Sequence, residues 1–66
     1  MTPYELAQEY VIYGNKLWFV DDADRNEGID LIAYRNDGLP NYMDWITVPW
    51  REHRKMKIVA IEGVTE

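Results

Sequence analysis

Leu17-Trp18-Phe19-Val20 places four apolar side chains in succession, so a strand through these residues is hydrophobic on both of its faces. Ile29 to Tyr34, Trp45 to Trp50 and Met56 to Ile61 share the property, with apolar residues on either parity of each run. A sheet has two faces, and one short helix buries roughly one of them. The second must be closed by curling into a barrel, by a twin subunit, or by a partner.

The helix is expected at the N-terminus. Thr2 can cap it, Pro3 suits the first helical position, and Glu5 completes a capping box. Leu6, Tyr10 and Tyr13 fall on one helical stripe with Ala7 and Val11 beside it. Gly14-Asn15 then supplies a left-handed stop. The pattern predicts a helix over residues 3–13.

Strands are predicted over 16–20, 29–35, 42–48 and 56–62, the last stopped by Gly63. The polar run 21–28 reads as a loop, and Asn36-Asp37-Gly38 as a turn. Pro40 keeps the next few residues out of a regular ladder, and Pro49 ends a strand or marks an edge. Residues 50–55 form a charged connector of about one helical turn. The expected fold class is α+β in one domain, 1–66: an N-terminal helix packed on a three- to four-stranded antiparallel meander, strongly twisted or curled into a small, partly open barrel.

A chain of 66 residues has a core that contributes only ~3–5 kcal/mol net. The absence of cysteine excludes disulfides and thiolate zinc, and His53 is the single histidine. Stability must come from packing three Trp, five Tyr and one Phe, or from association. No run approaches the ~18 apolar residues of a membrane span, and the N-terminus has no basic-then-apolar signal pattern. The expectation is a cytoplasmic protein starting at Met1, with no membrane partner and no cofactor.

Catalysis is the class most readily set aside. With no serine and no cysteine the commonest nucleophiles are missing, and nothing in the sequence orients His53 towards Thr47. Asp22, Asp24 and Asn26 have the spacing of the first ligands of a calcium loop. The turn glycine is replaced there by Glu27 and the final acid by Ala33, so the loop reads as a solvated turn and no metal site is expected. The expectation is that the protein is not an enzyme.

Charge divides the chain. Residues 1–50 hold nine carboxylates against three basic groups, and 51–66 hold three against four, within a net charge of −5. Asp21, Asp22, Asp24, Glu27 and Asp30 could steer the chain onto an arginine-rich surface, or mimic nucleic acid in a basic channel. Trp45 and Trp50 are the aromatic anchors that could join them at an interface. Arg51, Arg54, Lys55 and Lys57 invite a nucleic-acid reading, which Glu52 and the acidic remainder oppose.

Three functions follow. The leading expectation is a compact protein-binding module, of the character of a phage accessory protein that inhibits a host enzyme by occupying a basic surface. The second is a self-associating subunit whose surplus apolar face pairs with its own copy. The third is a small nucleic-acid binder using residues 50–57.

Overall fold

The computed structural model describes residues 1–34 and 40–60. The predicted turn at Asn36-Asp37-Gly38 and the end of the last predicted strand, with Gly63, lie outside the described residues. Helix α1 (Pro3–Leu6) precedes strands β1 (Tyr10–Tyr13), β2 (Lys16–Asp24), β3 (Gly28–Tyr34) and β4 (Pro40–Val48). A 3₁₀ helix (Trp50–Lys55) then leads to β5 (Lys57–Val59).

The capping box forms as its residues require. Glu5 N–H donates to the Thr2 hydroxyl at 3.2 Å, and the Glu5 carboxylate accepts from Thr2 N–H at 2.7 Å. The helix nevertheless stops at Leu6 instead of reaching residue 13. Gln8 takes a positive φ of 69°, and its N–H donates to Val20 C=O at 2.8 Å, which brings the chain alongside β2. Tyr10-Val11-Ile12-Tyr13 is aromatic and β-branched, composition that fits a pleated surface better than a helix. Gly14 and Asn15, both at φ 61°, are therefore no helix stop. They form the two-residue turn of a hairpin that pairs Tyr13 with Lys16 and Tyr10 with Phe19.

The sheet has five strands in the order β4-β3-β2-β1-β5, all antiparallel. The expected barrel is thus overturned. The order is linear, β4 and β5 stand at opposite ends, and no pairing joins them among the described residues. The expected count of three or four strands rises to five because the hairpin claims residues assigned to the helix. The first four strands do form a meander, and the chain then crosses the sheet through the 3₁₀ helix to add β5 outside β1.

This crossover explains how so small a fold covers one face. Val11, Trp18, Val20, Ile29, Leu31 and Ala33 project to that side. Leu6 from α1 and Met56 at the end of the 3₁₀ helix pack on them, with Trp50 partly buried against the cluster. Each fully buried aliphatic side chain contributes roughly 1.5–3 kcal/mol before entropy is counted. Among the described residues both helical segments serve this face, and no helix is long and apolar enough to cross a membrane.

Gly28 shows how closely β3 and β4 approach at the loop end. Its φ is +101°, and a Cβ built there would lie 2.4 Å from Val48 C=O oxygen. Gly14 has φ +61° and open space around the same position. Gly14→Ala should cost about 1 kcal/mol, the left-handed penalty alone. Gly28→Ala should cost about 3 kcal/mol or more, because a backbone clash is added. Urea unfolding midpoints of the two variants test this. Equal losses would mean that β4 yields at Val48.

Candidate functional site

The opposite sheet face answers the question posed by the two-faced runs. Pairing registers align Val59, Tyr10, Phe19, Ile32 and Trp45 in one row that crosses all five strands. Ile12, Leu17 and Lys57 form part of the next row. Tyr10 packs against Phe19 and Tyr34 with centroids 5.1 and 5.5 Å apart, so the aromatic rings shelter one another. Ile32 is buried among these residues although it lies outside the core cluster. Trp45, at the β4 end of the row, is 58% exposed.

The acidic segment meets this row through a β-bulge. Val20 pairs with Leu31 and Asp22 with Asp30, so Asp21 is an extra residue in β2. The insertion flips parity. Ala23 lands on the core face opposite Ile29, and Asp22 lands beside Asp30 on the open face. Asp21 and Asp30 then line a cleft of about 260 Å³ with Ile32 and Trp45. Asp30 accepts the Thr47 hydroxyl on Oδ1 at 2.7 Å, and its second oxygen has no hydrogen-bond partner among the described residues. The Asp21 main-chain carbonyl accepts from the Gln8 side-chain amide at 2.9 Å, fixing the bulge while the Asp21 carboxylate stays free among the described residues.

Three of the seven expected partner-binding residues thus converge: Asp21, Asp30 and Trp45. Asp22 is their neighbour, with one oxygen accepting from Ala23 N–H at 2.9 Å. Asp24 serves its own loop. It accepts from Asn26 and Glu27 N–H, both at 2.7 Å, and these bonds (Glu27 first) hold its carboxyl below the usual range. Glu27 belongs to a different cleft, with Arg25, Gly28, Trp50 and Arg51. Trp50 packs towards the core and stacks on His53 at 4.3 Å, so it joins neither the row nor Trp45. Sequence reasoning missed Tyr10 and Ile32. The Gly14-Asn15 pair is the signal that would have placed Tyr10 on a strand.

The basic residues do not gather on one side. Arg51, Arg54 and Lys55 ride on the 3₁₀ helix over the core face, whereas Lys57 is in register with Ile12 on the open face. Lys55 also reaches Glu52 at 3.5 Å. Among the described residues no three acidic or histidine side chains are placed to hold a metal ion.

No family model, curated protein or solved structure matches this chain.

One partly buried link ties the crossover to the sheet. The Tyr13 hydroxyl donates to the Glu52 carboxylate at 2.5 Å. This bond holds Glu52 below its ordinary value and pushes the Tyr13 hydroxyl above its own. A lowered carboxyl contributes stability above its unfolded-state value, lost as pH falls through the folded one. A raised phenol contributes stability below its unfolded-state value, lost as pH rises through the folded one. The link therefore holds between the acid and tyrosine ranges and fails at both ends. In Tyr13→Phe, carboxyl-carbon NMR should show the Glu52 titration moving upward. An unmoved midpoint would mean that Lys55 and Arg51 alone set it.

Proposed function

We propose that this chain is a protein-binding module that docks its open sheet face on a basic surface of a partner protein. The observation that carries the reading is the row Val59, Tyr10, Phe19, Ile32 and Trp45, bordered at its exposed end by Asp21 and Asp30. An apolar centre with a charged rim is the arrangement of a specific interface, and an exposed tryptophan is its commonest anchor. The acids would steer encounter with cationic side chains and reject acidic competitors. Where the partner's basic surface is a working groove, such docking inhibits it, which keeps the accessory-inhibitor role as the proposed biology.

A second copy of the chain is the competing occupant, since the row is apolar from edge to edge. A net charge of −5 opposes that pairing through self-repulsion.

Capture from nuclease-treated bacterial lysate at low salt, with variants as controls, tests the proposal. Trp45→Ala should weaken retention by about 2 kcal/mol or more, roughly 30-fold, and Asp21→Lys should abolish the salt dependence. Circular dichroism should show both variants folded. A partner held equally by the wild type and both variants would remove the open face from the interface. A concentration-dependent dimer that Trp45→Ala dissolves would assign the face to a second copy.

A further inference from the structure

We infer that the cleft formed by Asp21, Asp30, Ile32 and Trp45 is a socket for a guanidinium group, and that the partner presents an arginine side chain to it. The inference rests on the reading of the open face as a docking face and names the group that anchors there.

The three tryptophans differ in one respect that points to this cleft. Trp18 carries the Lys16 ammonium 4.8 Å from its ring centre, and Trp50 carries the His53 ring. Trp45 has neither an aromatic nor a cationic neighbour among the described residues, although it is exposed. Its ring is an unused π surface. Beside it stand two carboxylates that no cation among the described residues neutralises. Lys16 is turned to Asp44 at 3.7 Å, and Arg25 and Arg51 line the separate cleft at the β2–β3 loop.

A guanidinium satisfies all three walls at once. Its plane stacks on the indole while its edge donates to Asp21 and to the second oxygen of Asp30. The Ile32 floor is apolar and only 7% exposed, so it offers no hydrogen bond to a hydrated cation. Arginine sheds water more readily than the compact ammonium of lysine, and its fork reaches two carboxylates in one geometry. A divalent metal ion would use the carboxylates but leave the indole without a role.

The test is a titration of the full-length ¹⁵N-labelled chain with N-acetyl-arginine methylamide, followed by NMR. Lysine and citrulline amides and calcium chloride serve as parallel probes. The expected result is saturable shifts of the Trp45 indole and of the Asp21, Asp30 and Ile32 amides. Arginine amide should bind at least about threefold tighter than lysine amide, and citrulline amide should not saturate. Trp45→Ala should weaken arginine at least about tenfold, while Trp45→Phe, which keeps a π face and the packing, should lose less. Equal response to arginine and lysine, saturation by calcium at the same residues, or undiminished binding in both Trp45 variants would overturn the socket. If arginine amide fails while partner capture still depends on Trp45 and Asp21, the docking face stands and the socket falls. If arginine amide binds while capture ignores the open face, the socket stands and the docking reading falls.

Discussion

The extra residue that Asp21 inserts into β2 decides which face every later side chain of that strand takes. With strict alternation from Val20, Asp22 and Asp24 would project into the core and Ala23 into solvent. A carboxylate there would find no partner among Leu6, Ile29 and Leu31, and an unpaired buried charge costs far more than such a domain can absorb. The bulge turns Ala23 inward opposite Ile29, and the same step places Asp22 beside Asp30 on the far side. Core and candidate site are therefore set by one irregularity. Gln8, held at a positive φ, braces it through the Asp21 carbonyl.

The second irregularity completes the arrangement from the other strand. Between Ile32 and Ala33 the partners on β4 jump from Trp45 to Asn41, so extra residues are accommodated on β4. Trp45 thereby keeps register with Ile32, and Asn41 with Ala33. The aromatic row survives intact to the sheet edge because β4 absorbs the excess length in this way. Gly28 closes the opposite end by letting β3 pass close under the Val48 carbonyl.

Much of this was legible in the sequence, and the failures have physical causes. The capping box of Thr2 and Glu5, the strand expected at 29–35 and found at Gly28–Tyr34, the helical turn at 50–55 and the surplus apolar face all follow from local chemistry. The helix over 3–13 was misread because Leu6, Tyr10 and Tyr13 satisfy a helical period while Tyr10 and Ile12, or Val11 and Tyr13, satisfy a strand period equally well. Gly14-Asn15 fits both a helix stop and a hairpin turn; what decides is long-range pairing with β2, which local sequence does not display. Two apolar faces imply a barrel only on the premise that both need burial. Tyr10, Phe19 and Tyr34 instead shelter one another, leaving Trp45 exposed at the end of the row. The acidic residues looked equivalent in sequence. Register separates Asp21 and Asp30 from Asp24, whose carboxylate is consumed by its own turn.

The distribution of charge bears on what such a face can meet. Two lysines already have partners on this molecule: Lys16 sits over Trp18 and reaches Asp44, and Lys55 reaches Glu52. Lys57 is on the open face, but it belongs to β5, three strands away from Asp30 on β3. Two copies stacked through this face would bring acidic corners towards a surface where, among the described residues, Lys57 is the cation placed by register. That asymmetry opposes self-pairing, since desolvating unmatched carboxylates offsets part of the gain from burying aromatic area. A basic partner reverses the sign of the same term. It turns the carboxylates from a cost of association into the element that selects what associates.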